Sequence, residues 1–273
     1  MKKTQIFLTV AGIILIAALF SLPTIVVDNS DEDIVMEDTD STNVTPAARE
    51  AHDNRLSPSD RDQVDNLMAV LENEEDRGKF VTLADSIVKV YLASGQLDSA
   101  AYFYGLIAEK EPEAPNLEKA GNMYYEAYGF AMDPEKTAYL AGKTREYLGK
   151  VLESSPERLD LKTKIAMTHV SSANPMLGIT MLREILEEDP DNESALFNMG
   201  VLSMQSGQYK MAVQRFEDLV ENHPENIEGQ FYLGVSYFES KQNNKAKKQL
   251  LLVKEMTEDP QILAGIENYL DRL

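Results

Sequence analysis

The sequence predicts an all-α protein, a solenoid of helical hairpins carried behind one N-terminal transmembrane helix. Three observations predict it. Two small-residue markers, Gly200 to Gly234 and Ala212 to Ala246, each recur after 34 residues. The stretch 193–226, ESALFNMGVLSMQSGQYKMAVQRFEDLVENHPEN, reads as two short amphipathic helices joined by a Gly turn and closed by Pro224. Residues 6–27 contain no charged side chain.

Within that repeat, Leu196, Met199, Phe216 and Leu219 recur at three- and four-residue intervals, which puts them on one face of each helix and marks them as core. Gly200 and Ala212 fall where the helices cross, and small side chains there allow an approach of about 8–10 Å. A unit this short cannot bury its apolar face alone, so at least about three must stack.

The chain opens on Lys2 and Lys3, then the apolar run 6–27. As a helix, at about 1.5 Å per residue, the run would reach roughly 33 Å, enough for a hydrocarbon core of about 30 Å. Cations before it and acids after it predict a cytoplasmic N-terminus and a periplasmic or extracytoplasmic remainder, as in a single-pass inner (cytoplasmic) membrane protein. A cleaved signal would have an apolar region of about 7–15 residues and a small-residue site; no A-x-A follows here. Residues 28–57 carry nine acidic residues against Arg49 and Arg55 and no aromatic. That composition cannot offset its chain entropy and predicts a disordered acidic tether. The acidic run 31–40 lacks the glycine turn of a calcium loop and reads as solvated spacer.

Ser57-Pro58-Ser59-Asp60 starts a helix, and Val64, Leu67, Met68 and Leu71 give it an apolar stripe, so residues 58–80 are expected to cap the stack. Five repeats follow over 81–260. The first is 81–114, with Ala84, Ile87, Tyr91, Gly95, Ala100 and Tyr104 in place and Val88 where a Gly or Ala is usual. The second, 115–158, is irregular, since Gly121 to Ala166 is 45 residues, 11 more than the period. Its helices are expected to be longer, with residues 131–134 near the turn. The third is 159–192, turning at 171–175; the fourth is 193–226 and the fifth 227–260. A final amphipathic helix, 261–273, with Ile262, Ile266, Tyr269 and Leu270 on one face, is expected to close the stack.

The fourth unit resembles the tetratricopeptide (TPR) pattern W-x2-L-G-x2-Y, A-x3-F, P. Leu196, Met199, Gly200 and Ser203 stand at the first four marked positions, and Ala212, Phe216 and Pro224 at the later ones. Leu196 and Ser203 replace the usual Trp and Tyr. The resemblance extends over about 200 of the 273 residues and implies a right-handed TPR-like solenoid. It also implies a concave groove lined by the first helices. Carried onto this sequence, the groove positions are Met167, Val170, Phe197, Val201, Met204, Phe231, Val235 and Phe238. Asn198 stands at a position where some members grip a C-terminal carboxylate. Thr163, Met167, Phe197 and Val201 supply none of the cations such a clamp needs. The implied groove is apolar and suits an amphipathic helix or an extended apolar segment; the alternative is that the cap helix or neighbouring helices cover part of this strip.

Composition narrows the chemistry. The net charge of −20 disfavours nucleic acid, a polyanion bound through cationic side chains. With no cysteine, thiol catalysis, disulfides and cysteine–zinc sites are excluded. His52, His169 and His223 are too scattered for a metal motif; His169 reads as a packed residue and His223 as a helix-end residue. No P-loop, G-x-G-x-x-G, G-x-S-x-G or H-E-x-x-H occurs. Asp189-Pro190-Asp191-Asn192-Glu193 falls where a repeat turn belongs, and Lys241, Lys245, Lys247 and Lys248 read as solvated surface. No catalytic residue, metal or cofactor is expected. The expectation is a non-catalytic membrane-anchored scaffold or adaptor that binds a protein or peptide in the groove, for assembly, maturation or secretion at an envelope membrane. The alternatives are a structural subunit of a larger membrane complex, or a homo-oligomer in which residues 261–273 enter a neighbour's groove. The layout is similar to membrane-anchored TPR factors that assist cytochrome c maturation, a resemblance of architecture only.

Overall fold

Pro and small polar residues set the helix starts. Ser57 caps the first helix, its Oγ accepting from the Asp60 amide at 3.1 Å, and Pro58 occupies the first turn, where its missing N–H costs nothing. Asp76, Asp133, Asn192, Asn226 and Asp259 cap later helices in the same way. The computed structural model describes residues 56–273, and expectations for the apolar run 6–27 and for residues 28–55 of the tether lie outside them. Among the described residues there are twelve α-helices and no strand, and none of the helices is long and apolar enough to cross a membrane.

The helices are α1 (Pro58–Leu71), α2 (Arg77–Ala93), α3 (Leu97–Lys110), α4 (Ala114–Gly129), α5 (Pro134–Ser154) and α6 (Leu159–Val170). They continue as α7 (Pro175–Glu188), α8 (Glu193–Gln205), α9 (Tyr209–Asn222), α10 (Ile227–Glu239), α11 (Asn243–Met256) and α12 (Pro260–Leu270). Each packs mainly on its neighbours in sequence, so hairpins α2–α3, α4–α5, α6–α7, α8–α9 and α10–α11 stack in order. The even-numbered helices form one layer and the odd-numbered ones the other. Helix α1 packs on α2, and α12 packs on α10 and α11. The core follows the stack as a chain of clusters: Ile87 and Phe103, then Tyr124, Tyr147 and Leu148, then Leu182 and Met199, then Phe216 and Leu233, then Leu250 and Ile266.

Volume complementarity joins the two helices of a hairpin. Gly200 leaves room for the Phe216 ring: a Cβ there would lie 2.6 Å from Phe216 Cζ. Gly121 serves Leu148 and Gly234 serves Leu250 in the same way. These contacts locate the irregularity of the second unit. Gly200 to Phe216 and Gly234 to Leu250 are each 16 residues, whereas Gly121 to Leu148 is 27. All 11 extra residues therefore lie between the two contact points, at the turn end of the hairpin. Helix α5, with 21 residues, is seven longer than α3, α7, α9 or α11, each of 14. At about 1.5 Å per residue, it extends roughly 10 Å further.

The turns inside the hairpins carry the only left-handed backbone among the described residues. Gly95 (φ 70°) and Gly207 (φ 71°) suit it, but the fifth unit places Lys241 there at φ 65°. A side chain in this region costs roughly 1–2 kcal/mol. Lys241 Nζ lies 5.8 Å from the Phe238 ring centroid, an exposed contact worth less than that strain. Lys241→Gly should therefore stabilise the protein by about 1 kcal/mol, read as a higher urea midpoint at unchanged slope.

A charged link ties the second and third units together. Arg158 donates to both Glu118 oxygens, at 3.1 and 2.8 Å, and to both Asp160 oxygens, at 2.9 and 2.7 Å. Hydrogen bonding to Arg158 holds both carboxyls below the usual carboxylate range, with its positive charge adding to the effect. Groups depressed in the folded state contribute stability that is full above their unfolded pKa of about 4 and is lost as pH falls through the lower folded values. Arg158→Met should remove part of the loss of stability seen between about pH 5 and 3, measured as urea midpoint against pH.

Candidate partner-binding face

The face formed by the even-numbered helices changes character along the stack. At its N-terminal end the groups are polar and mutually paired: Lys89 with Asp85 at 2.8 Å, Arg158 with Glu118, and Lys164 Nζ donating to Asn122 Oδ1 at 2.6 Å. Further on, Met167 and Val170 of α6 and Phe197, Val201 and Met204 of α8 are half-buried side chains. Phe197, Val201 and Met204 pack onto the core that contains Leu196 and Phe216, and Met167 onto that of Ala166 and Leu182. This apolar window lies on two adjacent helices of the same layer. Asn198 does not offer its amide group freely, since its Nδ2 donates to the Ser194 carbonyl at 2.7 Å.

The C-terminal third of the predicted groove is already covered. Val235 is 3 % exposed and Phe238 9 %, so neither presents an open surface, and Phe231 is half-buried. The cover is α12. The Tyr269 ring packs edge-on to Phe238 (centroids 5.2 Å apart) and to Phe231 (6.4 Å), and the Arg272 guanidinium lies 4.7 Å from the Phe238 centroid. Gly265 makes the approach possible, because a Cβ there would stand 3.0 Å from Phe231 Cζ. The TPR resemblance implies an open groove at Phe231, Val235 and Phe238; at Phe231 and Phe238 the closing helix takes that ground because its own apolar face needs burial. It does so on its own chain.

Two aromatic residues outside the register reading belong to this face. Tyr232 stacks on Phe216 (5.8 Å, 14°) and meets Phe197 edge-on at 5.7 Å, and Tyr269 continues the ladder through Phe231 and Phe238. Tyr269 stands on the apolar face of the last helix in the sequence, a signal that could have been extended to the partner it covers. Tyr232 has no such signal.

Among the remaining candidates, three link neighbouring loops. Asp191 and Glu193 bind the following loop: Asn222 Nδ2 donates to Asp191 Oδ1 at 3.0 Å, Asn226 Nδ2 to Glu193 Oε1 at 2.8 Å, and His223 Nε2 contacts the Asp191 carbonyl at 2.7 Å. His169 is held below the usual imidazole range by partial burial and by the charge of Arg145. Among the described residues no three His, Asp or Glu side chains gather as metal ligands would.

Residues 194–226 match the tetratricopeptide repeat. The match falls on hairpin α8–α9, whose Gly200–Phe216 contact is the repeat's packing device. A tetratricopeptide repeat protein from Parabacteroides merdae is similar over 80 % of this chain and 83 % of its own, at 17 % identity and a TM-score of 0.54. A thermophilic TPR protein from Thermus thermophilus is similar over 70 % and 98 %, at 12 % identity and 0.51. These likenesses establish a TPR-like fold. YrrB, described as a TPR protein with an unusual peptide-binding site, superposes more loosely (TM-score 0.43, 20 % identity, 74 % of this chain and 96 % of that one). No curated protein matches the chain.

Proposed function

We propose that the protein is a non-catalytic scaffold, anchored in a cell-envelope membrane by residues 6–27, that holds a protein or peptide segment against the apolar window of α6 and α8. The observation that carries this reading is the window itself. Met167, Val170, Phe197, Val201 and Met204 remain half-buried between a polar, internally paired stretch and a stretch already closed by α12. Methionine and aromatic surface of this kind adapts to apolar partners. Adjacent helices lie about 8–10 Å apart, so the window accepts one short amphipathic helix or extended segment rather than a large surface. The anchor rests on the length and lack of charge of residues 6–27 and on Lys2 and Lys3 before them. Such a protein would serve assembly, maturation or secretion at that membrane.

The test is mild crosslinking of the intact chain in its native membranes, wild type against Val201→Glu and Met204→Glu, with recovered proteins identified. Both positions are half-buried at the window, where an added carboxylate can still reach water, so helical circular dichroism should stay unchanged. A burial cost of several kcal/mol for an unpaired carboxylate under a bound partner should lower recovery of the true partner at least tenfold. Equal recovery with all three chains would refute the window as the binding site.

A further inference from the structure

The turn of the irregular second hairpin is not among the window residues, yet it carries the most exposed apolar residues described. Its turn holds Phe130, 77 % exposed, and Met132, 98 % exposed. The 11 extra residues lie at this end, so the tip projects beyond the other hairpin turns. Connections within hairpins all lie along one edge, because consecutive helices run antiparallel through short turns. Met176, Leu177 and Met211, also exposed, begin α7 and α9 on that edge. Extending a hairpin to display two bare apolar side chains has no packing benefit.

Charge divides the two edges. Two of the loops between hairpins are strongly acidic: 187–193 carries Glu187, Glu188, Asp189, Asp191 and Glu193 with no cation, and 221–228 carries Glu221, Glu225 and Glu228 with no Lys or Arg. The turns within hairpins at 171–174 and 206–208 are uncharged, and α11 opens beside exposed Lys241, Lys245, Lys247 and Lys248. At the tip itself Asp133 caps α5 through the Lys136 amide at 2.8 Å, and the Lys136 ammonium pairs with Asp98; Glu135 is the remaining charge. Attraction of this edge to an anionic bilayer therefore comes from the lysines of α11, of which Lys245 also lies 3.4 Å from Glu217.

We infer that the α4–α5 hairpin tip is a membrane-contact element: Phe130 and Met132 enter the headgroup region of an anionic phospholipid bilayer, and the lysines opening α11 rest on its surface. This inference rests on the anchored reading above. A linker of residues 28–57 reaches at most about 100 Å, so an anchored domain samples the bilayer continuously, and a weak contact suffices to orient it. Orientation on this edge turns the acidic loops away from the lipid and sets the α6–α8 window sideways to the membrane, open to a partner at the surface.

The chain contains no tryptophan, so single introduced tryptophans report depth cleanly. The full chain carrying Met132→Trp, Leu15→Trp or Glu225→Trp is reconstituted into phosphatidylcholine–phosphatidylglycerol vesicles with or without dibrominated acyl chains. At position 132 emission should be blue-shifted and quenched at least twofold, and adding Phe130→Asp should reduce the quenching. Position 15 should be quenched and position 225 unquenched. Quenching at 15 with none at 132 overturns the contact while leaving the anchor standing, and points the tip towards a protein instead. No quenching at either overturns both. Equal quenching at 132 and 225 means adsorption without orientation and also overturns the inference.

Discussion

Replacing Gly178 by alanine is expected to destabilise the protein by about 3 kcal/mol or more, the largest effect of any single added methyl group. An added Cβ would stand 2.3 Å from the Ala166 carbonyl oxygen and 2.8 Å from the Val170 amide nitrogen and Cγ2. Two of these atoms are backbone, so no rotamer change relieves the clash; α6 and α7 must separate, opening the core of Leu182, Ile185 and Met199. Overpacking that side chains can absorb costs about 1–3 kcal/mol, and a backbone clash belongs at the upper end. In a repeat array the damage should be local first. Hydrogen exchange should lose protection in α6 and α7 before α2 and α3, and urea unfolding should begin earlier. Gly142→Ala and Gly149→Ala are the controls. Both lie inside α5 with nothing within 4 Å of the added methyl, and each should instead stabilise by up to about 1 kcal/mol through helix propensity. Equal effects at all three positions would rule out the close approach of α6 and α7.

Phe216→Ala is expected to cost about 3–5 kcal/mol. The ring is fully buried and stacks on Tyr232 at 5.8 Å, meets Phe197 at 6.1 Å and fills the space above Gly200. Its loss leaves a cavity beneath the window and frees Phe197 and Tyr232, so partner recovery should fall together with stability. The pairing with Gly200 gives a sharper test. Gly200→Ala alone forces a methyl to 2.6 Å from the ring, and Phe216→Leu alone leaves a void. Together they should lose at least about 1 kcal/mol less than the sum of the single losses, since each relieves the other. Strict additivity in urea unfolding would mean that the two positions do not share that space.

The elements of the stack were legible residue by residue. The helix start at Ser57, the turns near 131–134 and 189–193, the Gly95 turn and the long second unit all follow from local rules, because caps, prolines and apolar periodicity act over a few residues. The apolar side chains on α6 and α8 were singled out by the TPR resemblance, which carries the family's groove positions onto these first helices. Gly178 was not. Ala100, Ala212 and Ala246 stand at the same repeat position, each fully buried, and nothing local says that only glycine fits in the third unit. That depends on the distance between two backbones.

By itself the sequence determined the helical class and the 34-residue repeat, because each is set by spacing along one or two helices, and through the TPR resemblance it singled out the apolar side chains of α6 and α8. Only the tertiary structure decided that Val235 and Phe238 are covered, that Tyr232 and Tyr269 join the aromatic ladder, and that the extra residues of the second unit form a projecting tip. Each of these depends on where a distant segment comes to rest, and that is settled by which apolar surfaces remain to be buried once the repeats have stacked.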